Sequence, residues 1–289
     1  QITNLDTTLF AQLSSSQIGA ISNAALSGLS STRIIAFDTM GASGLTASQI
    51  SALGSDGISK LSSTQIGVLS SSAVKALTSD QIKALGTAKI SGLNSAQLRT
   101  LSTSAINALS SAQILKLNTA NVANLTGDQI SAIATDAIKE LTSDQIQALG
   151  TAGISALKTN QIQALDTADI FNLSYAEVGA LTTTQINALT SDQIAGLATD
   201  DMGALQPTQI KALQTAVIAK LSSTQIQTLT STQLSALTSS QVQALGTNGI
   251  NQLKTDQIKT LSTSIINSLN ADQITNLDTT LFAQLSSSQ

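Results

Sequence analysis

The chain has 289 residues, of which 42% are hydrophobic, 10% are charged and 2% are aromatic, and its formal net charge is −4. Histidine and cysteine are both absent from the sequence, which removes the commonest general bases, nucleophiles and transition-metal ligands. Lysine and arginine are scattered singly, and no apolar run of about 18 residues occurs. We therefore expect no enzyme, no cofactor or metal site, no nucleic-acid partner and no membrane insertion.

From its first residues onward the chain repeats an eight-residue unit without insertion or deletion. The octad TSDQIKAL, residues 78–85, is typical of the whole chain. Thr78 is a candidate N-cap and Gln81 lies three residues later, so the pair predicts a capping box. Ile82 and Leu85 then lie on one helical face and need a partner to bury them. Self-similarity at a fixed period indicates a solenoid.

The spacing of the apolar residues decides between helix and strand. The two apolar residues are three apart within an octad and five apart between octads, so a continuous strand would point them to opposite faces. One unbroken helix would let the apolar stripe drift by roughly 80° per octad. The sequence therefore predicts an all-α repeat solenoid of very short paired helices. Pro207 agrees, because it falls on the first helical position, where its missing N–H costs little.

Adjacent octads differ in one position, the third helical residue. Every second octad carries Gln there, with Arg33 and Glu177 as departures, whereas the alternate octads carry Gln only at Gln185 and Gln233. We therefore predict a coil of two octads, or 16 residues, and one continuous solenoid segment over residues 1–289 with about 18 coils.

These glutamines have two interpretations. Each Gln caps its own helix, or the glutamines of successive coils form a ladder along the axis or to a neighbouring fibre. The candidates for such stacking contacts are Gln65, Gln81, Gln97, Gln113, Gln129, Gln145 and Gln161.

Two further rows of polar residues follow the repeat. Aspartates in the first helical turn favour the helix dipole, with metal coordination as the alternative. They are Asp80, Asp128, Asp144, Asp192, Asp256 and Asp272. A row of threonines could match a repeating surface such as ice or a polysaccharide, although Thr at a helix start already has a capping role, which is the simpler interpretation. The row is Thr87, Thr103, Thr119, Thr135, Thr151, Thr167, Thr183, Thr199, Thr215 and Thr247.

A second, longer period is present. Residues 1–17 recur identically at 273–289, which implies a 272-residue tandem block in a longer parent protein. If the apolar residues Ile2, Leu5, Phe282 and Leu285 are exposed at the ends, we expect end-to-end contacts between chains. Residues 22–45 are the least regular and indicate either a repacked coil, a block boundary or a lateral contact site.

Octads of the form ALTSDQIQ, such as ALTSDQIK at residues 76–83, resemble the repeat regions of very long bacterial surface or secreted proteins of the adhesin or haemagglutinin type. The resemblance covers the whole chain and implies an elongated, extracellular or cell-surface protein of a Gram-negative bacterium. We expect a structural fibre, stalk or filament subunit whose partner is another copy of itself. The alternatives are a binding module with a Thr/Gln face for a glycan or ice, and a spacer region of a giant adhesin.

Overall fold

A computed structural model describes residues 5–289, and within that range every regular element is a short helix and none is a strand. The prediction of an all-α repeat solenoid is confirmed. The chain divides into two compact units, residues 1–156 and residues 157–289. No helix in the described range is long and apolar enough to cross a membrane.

The first unit contains α1 (Thr7–Phe10), α2 (Ser15–Gly19), α3 (Asn23–Ser27), α4 (Ser31–Ile35), α5 (Thr39–Ser43), α6 (Ala47–Lys60), α7 (Ser63–Gly67), α8 (Ser71–Lys75), α9 (Ser79–Ile90), α10 (Ser95–Thr100), α11 (Thr103–Asn107), α12 (Ser111–Ile114), α13 (Thr119–Ala123), α14 (Gly127–Ala132), α15 (Thr135–Ile138), α16 (Ser143–Ala148) and α17 (Gly150–Ala156). The helices of this unit follow one another at the octad spacing, and the two longest, α6 and α9, each span two octads.

The second unit contains α18 (Thr159–Ala164), α19 (Thr167–Phe171), α20 (Tyr175–Ala180), α21 (Thr183–Ala188), α22 (Ser191–Ala195), a 3-10 helix (Asp200–Ala204), α23 (Pro207–Ala212), α24 (Thr215–Ile218), α25 (Ser223–Thr228), α26 (Ser231–Ser235), α27 (Ser239–Ala244), α28 (Gly246–Asn251), α29 (Thr255–Thr260), α30 (Thr263–Ile266), α31 (Ala271–Thr275) and α32 (Thr279–Phe282). Pro207 is the first residue of α23, as its position in the repeat predicts.

Most helices start at a polar cap, and many of those with the Gln-type sequence end at their leucine. In α9 the Gln81 N–H donates to Thr78 Oγ1 (3.3 Å) and the Thr78 N–H donates to Gln81 Oε1 (3.0 Å), which completes a capping box. At the other end of an octad the leucine leaves helical geometry; Leu101, for example, has φ −60° and ψ 141°. One extended residue followed by a new N-cap therefore redirects the chain after about six helical residues.

Four junctions use glycine instead of a capping side chain. Gly54, Gly86, Gly150 and Gly246 have φ between 60° and 66°, a region that side chains with a Cβ rarely adopt. Two of them, Gly54 and Gly86, interrupt the segments α6 and α9, each of which is two helices joined across the glycine.

The core consists of the two apolar residues of nearly every octad. Ile82 is fully buried and Leu85 is 2% exposed, and burying each such side chain contributes about 1.5–3 kcal/mol. The least regular segment, residues 22–45, keeps this pattern with other side-chain sizes: the larger Phe37 is buried with its ring 5.7 Å from that of Phe10, and the smaller Ala42 is fully buried. This segment is a regular part of the fold, formed by α3, α4 and α5.

Helices pack against the helices three octads away along the chain. In the first unit α2 packs on α5 and α11 packs on α14, and in the second unit α23 packs on α26. The 16-residue coil predicted from the alternation of octads is therefore wrong. Every octad presents the same apolar pair, so burial alone does not select the neighbour, and the observed helix pairs and side-chain bonds join octads three and four apart.

Candidate functional site

The feature that repeats most regularly is a buried glutamine that joins two turns of the solenoid. Gln81 uses its Oε1 to accept the N–H of its own N-cap, Thr78, and its Nε2 to donate to the Ile50 carbonyl, 31 residues earlier, at 2.7 Å. The side chain is 2% exposed. One amide group therefore closes its own helix and ties that helix to an earlier turn, and we call this arrangement the Gln clamp.

The Gln clamp recurs in both compact units with the same register. The amide nitrogen donates to carbonyls 31 and 28 residues earlier, as in Gln129 to Leu98 O and Leu101 O, both at 2.9 Å. At glycine junctions the second acceptor is 27 residues earlier, as in Gln113 to Gly86 O. The glutamines with such a bond are Gln49, Gln65, Gln81, Gln97, Gln113, Gln129, Gln145, Gln185, Gln193, Gln209, Gln225, Gln233, Gln241, Gln257, Gln273 and Gln289.

Burial makes this amide energetically important. A main-chain carbonyl that loses its partner away from water costs about 1–3 kcal/mol, and each clamp supplies one to three such carbonyls. In the described residues, buried side-chain nitrogen and oxygen atoms all have a hydrogen-bond partner. The clamp thus satisfies polar groups that lie at the ends of short helices, where the helix itself leaves carbonyls unpaired.

The structure places the seven predicted ladder glutamines in one class of position. Gln65, Gln81, Gln97, Gln113, Gln129 and Gln145 are buried, and their amide nitrogens donate to main-chain carbonyls of an earlier turn. Gln161 is 1% exposed, and its Oε1 accepts the Lys158 N–H at 2.7 Å. Turn-to-turn contacts at these six residues therefore run from side chain to main chain.

Two residues that break the Gln pattern supply the same kind of donor. Arg33 Nε donates to Leu5 O at 3.1 Å, 28 residues earlier. Asn121, in an alternate octad, donates from Nδ2 to Leu93 O at 3.2 Å, also 28 residues earlier. In the sequence pattern Arg33 is an irregularity. Its side chain carries an N–H donor, as that of Gln does, and this shared property was the signal that the position needs a donor.

A weaker set of polar contacts joins turns at the surface. Hydroxyl and amide side chains donate to carbonyls 25 residues later, as in Ser131 to Ala156 O (2.6 Å), Asn107 to Ala132 O (2.9 Å) and Gln243 to Ser268 O (3.2 Å). These contacts lie on the outside of each unit, whereas the clamps lie inside. Consecutive turns are therefore held on both sides of the helix layer.

Charged groups are few and mostly exposed. Burial first, and the charge of Asp200 second, raise the pKa of Asp201 above its ordinary value of 3.8. Hydrogen bonds from Thr8 lower the pKa of Asp6, and those from Thr280 lower the pKa of Asp278. Within residues 5–289 no three acidic side chains are grouped so that they could hold a metal ion.

The predicted end contacts are only partly described. Ile2 lies outside the described residues, and Leu5 and Leu285 are half-buried. Phe282 is 58% exposed, whereas Phe10, its counterpart in the repeated 17-residue sequence, is fully buried.

The threonine row does not form a face of its own. Most of the ten threonines are exposed. The helix that Thr103 begins, α11, packs on the Gln-type helix α14, which in turn packs on α17. The Gln-type helix α14 therefore separates α11 from α17, two helices that each carry a threonine of the row.

Comparison with known families agrees with the repeat architecture. The ALTTAQ repeat family matches residues 58–87, 87–127, 130–167, 162–199, 196–231 and 218–247. These matches together span residues 58–127 and 130–247, which is more than half of the chain. No curated protein matches the sequence. The chain belongs to the ALTTAQ repeat family.

Proposed function

We propose that this repeat protein is structural and that it forms a fibre, stalk or filament subunit outside the cell or at its surface. The observation that supports this most is the Gln clamp, which repeats from Gln49 to Gln289 with one geometry. An enzyme or a receptor concentrates unusual chemistry at one place. Here the same contact recurs along the chain, which suits a protein whose task is length and resistance to extension.

The energetics of the repeat favour this role. Contacts extend only to neighbouring turns, so each added octad brings its own buried apolar pair and the solenoid has no upper limit of length. The net charge is −4 and only 10% of the residues are charged, so the composition does not favour a role that depends on strong charge. The resemblance to adhesin-type repeats supports the extracellular location and the related role of a spacer in a giant adhesin.

The second candidate is a module that recognises a polysaccharide or ice through a regular Thr/Gln face. The clamp glutamines are nearly inaccessible, as Gln81 at 2% and Gln161 at 1% illustrate. The threonine row is interrupted by Gln-type helices in successive turns. These two arrangements favour the structural role over the binding role.

An imaging experiment tests the proposal. Antibodies raised against residues 1–289 are used for immunogold labelling of the native cells in electron microscopy. We expect gold along fibres or stalks outside the cell envelope. Labelling confined to the cytoplasm would refute the proposal, and retention of the purified chain on polysaccharide resin, lost on mutating exposed row threonines such as Thr103, would favour the binding module.

A further inference from the structure

The first unit has an open groove where two turns meet at glycines, and we call it the glycine groove. Its volume is about 500 Å³, and it is lined by Thr39, Ser63, Thr64, Gly67, Val68, Ser91 and Gly92. The turns approach too closely for side chains there, because a Cβ on Gly92 would lie 2.3 Å from Ser63 O. Val68 is 37% exposed, and Met40, next to a lining residue, is 63% exposed. The glycine groove therefore offers apolar surface that the chain itself leaves uncovered.

The second unit carries two exposed aromatic side chains, Phe171 and Tyr175, which we call the aromatic edge. Each is 58% exposed, although the whole sequence contains only four Phe, one Tyr and no Trp. Phe171 ends α19 and Tyr175 begins α20, so a single junction separates them. Tyr175 Oη donates to Gly203 O at 3.1 Å, which holds the ring against the 3-10 helix. Aromatic rings bury large apolar areas in protein interfaces, so the aromatic edge is a candidate contact surface.

Charged residues are few but unevenly distributed along the chain. Residues 57–127, which contain most of the glycine groove, have six basic residues and one acidic residue. Residues 159–210, which contain the aromatic edge, have six acidic residues and no lysine or arginine. The two surfaces therefore lie in stretches of opposite charge.

The structure places some of these charges beside the two surfaces. Lys89 Nζ donates to Ser59 O, next to Lys60, and both lysines lie within three residues of the groove lining. Helix α19, which ends at Phe171, packs on α22 with Asp192. Helix α20 packs on the 3-10 helix that begins at Asp200. The glycine groove is therefore flanked by basic side chains and the aromatic edge by acidic ones.

We propose that the aromatic edge of one chain docks in the glycine groove of a second copy. The inference rests on the proposed self-assembly and specifies its contact. Apolar surface and charge select the same pair, because the acidic surroundings of the edge meet the basic surroundings of the groove, whereas contact between two edges would bring carboxylates together. A contact between two different surfaces of identical copies can repeat from one copy to the next, which suits a fibre.

A pair of charge-reversed chains tests the complementarity. One chain carries Asp192→Lys and Asp200→Lys beside the aromatic edge, and the other carries Lys60→Glu and Lys89→Glu beside the glycine groove. In sedimentation velocity each variant alone should associate about tenfold more weakly than the wild-type chain, because like charges then meet. An equimolar mixture should associate again, since each unchanged surface attracts the unchanged surface of the other variant, and high salt should weaken this recovery. A mixture that associates no better than its components would overturn the proposal.

Photo-crosslinking locates the contact. Phe171 is replaced by the photoreactive residue p-benzoylphenylalanine, which keeps an aromatic ring, and this chain is mixed with an isotope-labelled wild-type copy. After illumination, mass spectrometry should place the cross-link in the labelled copy at the groove, within residues 39–40, 63–68 or 91–92. The same photoreactive residue in place of Leu115, an exposed leucine outside both surfaces, is the matched control and should not reach the groove. Cross-links from position 171 to other segments alone would contradict the proposal.

Apolar substitutions separate this inference from the function on which it rests. Phe171→Ser and Met40→Ser should each lower the association constant about tenfold or more with unchanged circular dichroism, whereas Leu115→Ser should leave it unchanged. If sedimentation shows oligomers that neither substitution weakens, and the cross-links lie elsewhere, the docking is refuted and self-assembly stands. Monomers at every concentration refute both.

Discussion

The Gln clamp can be tested within a single helix, because α27 carries two glutamines in contrasting environments. Gln241 is 2% exposed, accepts the Thr238 N–H at 2.9 Å and donates to the carbonyls of Ile210 (2.9 Å) and Leu213 (2.7 Å). Gln243 is exposed and donates to Ser268 O at 3.2 Å. We propose the substitutions Gln241→Glu and Gln243→Glu, each of which replaces an amide nitrogen by oxygen without changing the size of the side chain.

The expected loss of stability follows from the groups left without a partner. Gln241→Glu keeps an oxygen that can accept the Thr238 N–H, so the cap survives. Two buried carbonyls lose their donor at about 1–3 kcal/mol each, and a carboxylate enters a buried site. We expect a loss of about 3–5 kcal/mol. Gln243→Glu should change the free energy of unfolding by at most about 0.5 kcal/mol, as exposed substitutions usually do.

Urea unfolding measured by circular dichroism gives the global change, and native-state hydrogen exchange gives its location. The amides of α27 and of α23, whose end carries the carbonyls that Gln241 binds, should lose protection in Gln241→Glu before the rest of the second unit does. Below about pH 4 the introduced carboxyl is protonated and regains a donor, so the difference from the wild-type chain at the same pH should shrink.

A purely local capping role makes the opposite prediction. The cap alone is worth about 1 kcal/mol, and Gln241→Glu retains its acceptor. If the two variants lose the same small amount, or if lost protection stays within α27, the turn-to-turn bond contributes little and the reasoning about buried carbonyls is wrong.

Three further comparisons test other parts of the structure. Gly86→Ala should cost about 1–3 kcal/mol through the backbone alone, because φ is 66° and the added Cβ meets no atom within 4 Å; Gly92→Ala should cost more, since its Cβ would lie 2.3 Å from Ser63 O, and thermal unfolding ranks the two. Asp201→Asn should raise the melting temperature at pH 7 but not at pH 3, because a raised pKa means that ionisation of this carboxyl opposes folding as the pH rises through it. Gln185→Met should destabilise the chain more than Gln233→Met in urea titrations, since the two octads before Gln185 carry no Gln at this position.

The local part of the fold is readable from the sequence because its interactions span three residues. The pairing of Thr78 with Gln81 is a capping box both in the pattern and in the structure. The buried positions Ile82 and Leu85 also follow, since two apolar residues three apart share a helical face. Neither inference needs to know which turn lies next to which.

The length of the turn is a different kind of quantity. Every octad presents the same Ile and Leu, so the framework packs equally well on a neighbour two, three or four octads away. The octad pattern also does not encode the geometry of the junctions, where residues such as Leu165 (φ −64°, ψ 140°) leave the helix. The alternation of Gln-type octads is a real periodicity, but a two-octad coil was the wrong interpretation of it.

Small residues in the alternate octads were the signal that could have corrected this. Ala105 is fully buried at the position where Gln-type octads carry Gln, and a Cβ on Gly153 would lie 3.1 Å from Ile130 Cδ1. Ile130 belongs to α14, three octads before α17. The two types of octad alternate, so octads that lie three apart are always of different types. A small residue in one type that faces a large residue in the other therefore indicates that the neighbouring helices are three octads apart.

The alternation then has a simple explanation in the number of octads per turn. Helices pack three octads apart and clamps reach four octads back, so a turn takes between three and four octads. Gln in every second octad guarantees that each turn contains at least one clamp, and the remaining octads are free to carry glycine junctions or small residues. One departure from the pattern supports this view: Glu177 replaces Gln, and Gln185 follows in the next octad, an alternate one, where it donates to Leu157 O at 2.7 Å. A carboxyl group has no N–H to donate, so the amide donor that is missing at Glu177 is supplied one octad later, at Gln185. The turn therefore keeps a buried donor, although the octad that carries the donor changes.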